Sequence, residues 1–434
     1  MLEQDFRQKL KDRIAGKTDE VVALTQALIR IPTINPPGDA YAPCAELIGE
    51  RLKARGFAIE YVRAHGTPGD SDAYPRINVV ARIEGNRPGP GVHFNGHIDV
   101  VEVGKGWTVD PFGGEVIDGK VYGRGSCDMK GGLAAAIVAV EAFLEEVGDD
   151  FPGAIEISGT VDEETGGYGG VGYLAERGYF SKPRVDHVII PEPLNVDRVC
   201  VGHRGVWWAE IETHGRIAHG SMPFLGNCAV RHMGAVLGRI EETLLPRLSA
   251  RQTEMPVVPE GARQSTLNIN SIHGGLGEDY DGLPSPLVPD SCRMVIDRRY
   301  LIEEDPAEVR GEIVGMLDHL ATHRDGFSYD IKEVLSFPPT MTDADAPVVK
   351  AVEGAIGEVL GRPASQVVSP GTYDQKHIVR VGHLKDCIAY GPGILDLAHQ
   401  PDEYVEIDAM VQSAQVMALA MLDLLTGTQQ EATD

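Results

Sequence analysis

Hydrophobic and polar positions along the chain fall into two textures. Over roughly the first 200 residues, stretches with helical spacing alternate with short, mostly apolar runs. Residues 19–30 carry apolar side chains at helical intervals behind an acidic first turn, which predicts an amphipathic helix. Pro32 and the run Asn35-Pro-Pro-Gly38 break it. A second helix is predicted over 42–54, stopping at Gly56, followed by strands over 58–62, 77–83 and 92–101. The last of these is nearly continuous in apolar residues, as a strand covered on both faces should be. A helix over 131–147 and strands over 154–160 and 188–190 continue the alternation. Such a pattern predicts an α/β fold, a mostly parallel sheet flanked by helices, with its chemistry at the carboxyl ends of the strands.

From about Val201 the period changes. Residues 206–213 alternate apolar and polar, as an antiparallel strand does. A helix over 228–245, a polar proline-bearing loop to Gln264, strands over 266–272 and 293–300, and a helix over 306–323 follow. This order predicts a small α+β domain inserted into the larger one, at residues 201–324. The larger domain then comprises 1–200 and 325–434, the chain returning to it with a strand over 328–334 and helices over 346–360 and 408–425.

A chain of 434 residues, 42% hydrophobic, is long enough for two cores and too long for one ordinary core. No apolar run approaches the roughly 20 residues of a membrane helix, and the first residues carry no secretory pattern. The expectation is a cytoplasmic protein without a membrane partner. A formal charge of −26 argues against nucleic acid, which needs a basic face. The six cysteines are scattered without paired spacing, which fits reduced thiols and disfavours a cysteine-ligated metal.

Candidate chemistry centres on residues 123–132, Gly-Arg-Gly-Ser-Cys-Asp-Met-Lys-Gly-Gly, where Asp128 stands between a glycine-rich turn and a buried helix. Taken alone, Asp128 is a helix N-cap. Other ligand-type residues end or interrupt apolar segments in the same way: His97-Ile-Asp99, Glu163-Glu164, Glu192 in Pro191-Glu-Pro193, and His399 in Leu397-Ala-His-Gln-Pro401. Singly, each has a plain explanation as a solvated turn or a packed histidine. Gathered at strand ends, so many carboxylates would repel one another unless cations neutralised them. Imidazole with carboxylate and no thiolate suits zinc or another divalent transition metal.

In order, His-x-Asp, Gly-Arg-Gly-x-x-Asp-Met-Lys-Gly-Gly, Glu-Glu, Glu-Pro, Gly-x-x-Ala-His-Gly and Ala-His-x-Pro-Asp-Glu resemble the di-zinc metallopeptidases and deacylases. That family includes acetylornithine deacetylase, succinyl-diaminopimelate desuccinylase, aminoacylase and bacterial glutamate carboxypeptidases. The resemblance implies a zinc-exopeptidase-like catalytic domain, with the inserted domain serving as dimerisation and lid domain. It implies two divalent ions per subunit, zinc foremost, with cobalt or manganese as substitutes. His97, Asp128 and Glu192 would hold one ion, and Asp128, Glu164 and His399 the other. Asp99 would orient His97, Glu163 would be the general base, and the Asp128-Met129 peptide would be cis. His219 would supply a hydrogen-bond donor from the partner subunit of a homodimer, and Arg299, Arg204 and Thr372 would face the substrate.

The implied activity is hydrolysis of an amide bond in a small N-acyl amino acid-like compound bearing a carboxylate. The alternatives are a dipeptidase or carboxypeptidase on the same metals, or a metal-binding homologue without catalysis. Two departures bear on the acyl group: Pro286 stands where relatives carry Asn, and Gln375-Lys376 where they carry Gly-Arg.

Overall fold

The computed structural model describes residues 2–257, 259–275 and 286–427, which form two compact units. One comprises 1–202, 342–367 and 373–434, the other 203–341 with 368–372.

The larger unit opens with helix α1 (Leu2–Ala15), for which the chain carries no strong apolar stripe. Its buried Leu10 and Ile14 are supplemented by Arg7, which pairs with Asp423 at 2.5 Å and Glu358 at 2.7 Å. Both partners lie more than 340 residues away in sequence, so local periodicity gave no warning of this helix. Next come α2 (Thr18–Ile29), α3 (Tyr41–Lys53), β1 (Ala58–Arg63), β2 (Ile77–Glu84), β3 (Arg87–His97), α4 (Gly131–Val147), β4 (Pro152–Thr160), β5 (His187–Ile190) and β6 (Arg198–His203).

The smaller unit holds β7 (Gly205–His214), α5 (Ala229–Arg239), β8 (Thr266–Gly274), β9 (Ser291–Tyr300), α6 (Pro306–His323) and β10 (Ser328–Phe337). The chain then runs through α7 (Pro347–Leu360), β11 (Ser365–Ser369), α8 (Gln375–Arg380), β12 (Cys387–Ala389) and α9 (Ile407–Thr426).

The main sheet runs β1-β2-β4-β3-β5-β12-β6. Its centre, β4-β3-β5-β12, is parallel throughout, as expected of apolar strands buried on both faces. The flanking pairs β1–β2, β2–β4 and β12–β6 are antiparallel. The four parallel strands therefore end at one edge, and that edge carries the candidate residues.

Every residue of α4 from Gly131 to Phe143 is buried, including Glu141, whose carboxylate takes Arg51 at 2.7 and 2.9 Å. Helix α9 has the length and composition of a membrane span but packs on α7, α4 and α1, with two-thirds of its apolar window buried. It is a core helix.

In the smaller unit the sheet is antiparallel, order β8-β9-β7-β10. Trp207, Ala209 and Ile211 of β7 and Met294 and Ile296 of β9 pack against Met233 and Val236 of α5 and Ile313 and Leu317 of α6. The strand expected over 328–334 to rejoin the larger domain is β10, paired with β7 from Ser328↔His214 to Phe337↔Val206. Its two-residue alternation identifies a half-exposed strand without saying which sheet receives it. The return to the larger unit thus falls at 342 instead of 325, and the departure from it at 203.

Gly132 lets α4 begin against the loop after β5: a Cβ there would lie 2.0 Å from the Pro191 carbonyl oxygen. Gly132→Ala should cost about 1–3 kcal/mol by overpacking. Gly354→Ala in α7, where a Cβ meets nothing within 4 Å, should stabilise by about 0.4–1 kcal/mol. Urea unfolding of the two variants checks the contrast, and equal effects would refute the close approach at Gly132.

Candidate metal centre

The four adjacent parallel strands deliver candidate groups at or beyond their carboxyl ends. His97 is the last residue of β3, and Glu163 and Glu164 follow β4. Glu192 stands two residues beyond β5, and the chain leaving β12 reaches His399. Asp128 enters from the turn before α4 with φ −119° and ψ 94°, and its peptide bond to Met129 is cis. It is not the cap of α4, whose N-cap position is taken by Lys130.

The groups converge. His97 Nε2 is 3.1 Å from Asp128 Oδ1, and His399 Nε2 is 3.5 Å from Asp128 Oδ2. His399 Nε2 is also 3.1 Å from Glu164. Two sets of candidate ligand atoms result, His97–Asp128–Glu192 and Asp128–Glu164–His399, each within 4.8 Å. Either set can hold a metal ion, and Asp128 belongs to both.

Charge crowding is visible in the titration of the groups. Burial pushes the Glu192 carboxyl well above its ordinary range, and the neighbouring Asp128 pushes it the same way. Burial raises Glu164 to about 7. Its hydrogen bond to Glu164 raises His399 to about 9. Burial opposes charge on His97, yet Asp128 and Asp99 hold its imidazolium well above the usual value. Protons stand in here for the positive charge that such a donor set is built to take, so the residues fit a pair of divalent cations.

Asp99, fully buried, lies beyond the end of β3. The His97 ring nitrogen Nδ1 is 3.0 Å from its carbonyl oxygen and 3.5 Å from its carboxylate. The carboxylate also accepts the backbone N–H groups of Glu163 and Glu164, each at 3.2 Å, and the Asn35 amide at 2.9 Å. One buried carboxylate thus aligns a ligand from β3 with the turn after β4, leaving Nε2 of His97 for a metal.

Residues 93–423 match the pattern of peptidase family M20/M25/M40. The chain belongs to that family. It is a hydrolase of the metallopeptidase kind that acts on amide bonds. A succinyl-diaminopimelate desuccinylase of Methylobacterium nodulans is 32% identical over 375 residues, covering 83% of this chain and 86% of its own. One from Dechloromonas aromatica is 27% identical over 415 residues, 94% of this chain and 100% of its own. Among solved structures, human carnosine dipeptidase 1 superposes with a TM-score of 0.77 at 19% identity, covering 97% of this chain and 99% of that one. An M20 family metallo-carboxypeptidase from Sulfolobus solfataricus gives 0.71 at 20% identity, covering 92% and 99%. At these identities the two structures speak for the fold.

Three further residues support these groups, and sequence reasoning gave none of them a supporting role. Glu403 Oε1 accepts the backbone N–H groups of Cys127 at 2.9 Å and Asp128 at 3.1 Å. Its other oxygen accepts from Arg124 at 2.6 Å. Arg124, buried to 2% exposure, also donates to the carbonyls of Gln400, His399, Glu102 and Val103 at 3.2–3.3 Å. Arg124 and Glu403 lie inside the motifs that carry Asp128 and His399, and that proximity was the available signal. The third, Lys376, donates to Glu163 Oε1 at 3.1 Å.

The remaining predicted residues lie in the smaller unit. His219 sits on an exposed loop, where its Nδ1 accepts from the Ser221 hydroxyl at 2.8 Å. Arg299 forms a two-pronged pair with Asp297 on the same face of β9, at 2.7 and 3.0 Å. Thr372 is half-buried. Arg204, also in the smaller unit, bonds to backbone carbonyls. Its guanidinium is buried and donates to the carbonyls of Pro370, Ala262 and Gln264 at 2.9, 3.2 and 2.7 Å. It clips two loops together.

The folded, metal-free enzyme holds Glu164 and Glu403 at about 7 and His399 at about 9, above the values of an unfolded chain. It therefore binds more protons than the unfolded chain from the ordinary carboxyl range up to about pH 9, and its stability should fall as pH rises through that window. Chelator-treated protein should melt at progressively lower temperature from about pH 5 to 9, and divalent metal should reverse the trend by binding the deprotonated groups. A chelated protein that becomes more stable over the same range would contradict the crowding.

Proposed function

We propose that this enzyme removes an acyl group, of succinyl or acetyl type, from the amide nitrogen of a small amino acid-like compound bearing a carboxylate. The observation that carries the proposal is a single carboxylate, Asp128, common to two ligand sets, with Glu163 one residue before the ligand Glu164. The desuccinylase relatives support the acyl class.

In this reading His97, Asp128 and Glu192 hold one ion and Asp128, Glu164 and His399 the other. Zinc is the proposed metal, from imidazole and carboxylate donors without thiolate, and cobalt or manganese would substitute. When bound, the ions supply Lewis acidity towards the amide carbonyl and the attacking water. Asp99 keeps His97 in the tautomer with Nε2 available as a ligand. Glu163 takes a proton from the attacking water, its carboxylate becoming a carboxylic acid. It then returns that proton to the leaving nitrogen as the C–N bond breaks, and the base is restored. Arg299, whose planar fork matches a carboxylate, is proposed to read the substrate's carboxylate. That step requires exchange with Asp297. Thr372 is proposed to line the same part of the pocket.

The smaller unit is proposed to serve as dimerisation and lid domain, presenting His219 to the partner subunit of a homodimer. Phe224, Leu225 and Ile217, on the loop that carries His219, are 79%, 54% and 57% exposed, the kind of apolar cluster that another protein surface covers. Strand β8 is an edge strand, and its Ile272 is also exposed. The six free cysteines, five of them buried, fit a reducing, cytoplasmic compartment.

With zinc-loaded enzyme assayed on N-succinyl, N-acetyl and N-formyl amino acids and on dipeptides, N-acyl amino acids should be the better substrates. Preferential cleavage of dipeptides would contradict the acyl reading. Glu163→Gln should lower kcat by about 10²–10⁴-fold with metal content unchanged. Retention of most activity would remove Glu163 from the mechanism. Mixed subunits carrying His219→Ala and Glu163→Gln should regain activity that neither has alone, and continued inactivity would exclude action of His219 across the dimer.

A further inference from the structure

Lys376 is the residue that the proposed mechanism leaves unused. It is a buried ammonium, 2% exposed, at the head of the short helix α8, and its Nζ donates to Glu163 Oε1 at 3.1 Å. Burial disfavours its charge, but Glu163 and Asp374 more than offset this and raise its pKa. A buried cation is costly unless it is paired, so its place here calls for a reason.

Both neighbours of Lys376 are pinned. The Gln375 amide donates to the carbonyls of Cys387 at 2.7 Å and Val201 at 3.3 Å and to the Thr342 hydroxyl at 2.9 Å. On the other side, His377 Nε2 donates to the carbonyl of Gly166 at 2.7 Å, in the turn that carries Glu163. Helix α8 is thereby docked to the Glu163 turn on one side and to β12 on the other. The register of Nζ on the carboxylate follows from these bonds.

Behind Lys376 a buried polar chain runs in one direction. Ser158 donates its hydroxyl to Asn95 Oδ1 at 2.7 Å, so the Ser158 oxygen must itself accept from His93 Nε2 at 2.8 Å. Asn95 then donates its amide to Asp374 Oδ2 at 3.1 Å. Burial lowers the His93 imidazole to about 3, which keeps it neutral and consistent with that donor role. The chain ends on the carboxylate of Asp374, whose charge interacts with the Lys376 ammonium. Asp374 is held by Asn95 of β3, and Lys376 in turn holds Glu163.

We propose that Lys376 is the positioning residue of Glu163, fixing Oε1 so that Oε2 is the atom that exchanges the proton. The inference rests on the reading of Glu163 as general base. Lys376 keeps its own protons throughout. Its ammonium holds one oxygen of the Glu163 carboxylate in place and leaves the other to face the water. This assignment also gives Gln375-Lys376, a departure from the family pattern, a function inside the reaction instead of in the substrate pocket.

The test uses zinc-loaded full-length enzyme and the N-acyl amino acid that the panel turns over fastest. Lys376→Met and Lys376→Gln should lower kcat by about 10–100-fold, the cost of a misplaced base, while KM and the zinc content stay near wild type. Lys376→Arg should recover a substantial part of kcat. In a Glu163→Gln background, Lys376→Met should have no further effect, because its action passes through Glu163. A crystal structure of Lys376→Met should show the Glu163 carboxylate rotated from its place. The inference is overturned if KM rises while kcat holds, which would put Lys376 on the substrate. Full additivity with Glu163→Gln, or an unmoved Glu163 carboxylate, overturns it as well. An active Glu163→Gln enzyme would instead sink the general-base reading, and is seen independently of any Lys376 variant.

Discussion

Everything at the strand edge depends on one carboxylate being usable from two sides. Asp128 faces His97 with one oxygen and His399 with the other, and its own backbone is tied down by Glu403. Glu403 lies four residues after His399, so a single loop both contributes a ligand and fixes the residue that the two ligand sets share. Arg124 closes the arrangement from the Asp128 side: four residues before Asp128, it pairs with Glu403 and gathers the carbonyls of the His399 loop. Two segments about 275 residues apart are joined by a buried ion pair whose position sets the spacing of the candidate ligands. Removing one partner would leave a buried charge uncompensated, which costs far more than the pair contributes.

The same logic recurs around the centre. Asp99 is shared by the His97 ring and the turn after β4, and Lys376 by Glu163 and the chain that ends on Asp374. Such devices align elements from different strands to within the tolerance that metal ligation and proton transfer require. They explain why the edge of the sheet carries so many buried ionisable groups, an arrangement that would destabilise a purely structural core.

Much of this was legible in the chain. Apolar runs that give way to Glu163-Glu164 and Glu192 mark strands whose ends carry chemistry, and residues 131–147 mark a helix in full, while the strand expected over 92–101 ends at His97. The parallel centre of the sheet followed from the same runs. What was not legible depends on distance in sequence. Helix α1 is docked through Arg7 to Asp423 and Glu358, partners that no local window contains. Strand β10 has the right period, but period does not name the sheet it joins. The three loop carbonyls that hold the Arg204 guanidinium lie 58 to 166 residues away in sequence. On local grounds Asp128 is a helix cap; the resemblance carried by its motif implies a shared ligand, and in the fold candidate groups from four other segments lie around it.

The central claim is that Asp128 is common to two metal positions, and metal content measured by mass spectrometry on dialysed, active protein tests it most directly. The account predicts two divalent ions per chain in the wild type. It also predicts loss of the pair in Asp128→Asn, with the circular dichroism spectrum retained. A single ion in fully active wild-type enzyme, or two ions retained by Asp128→Asn, would contradict it.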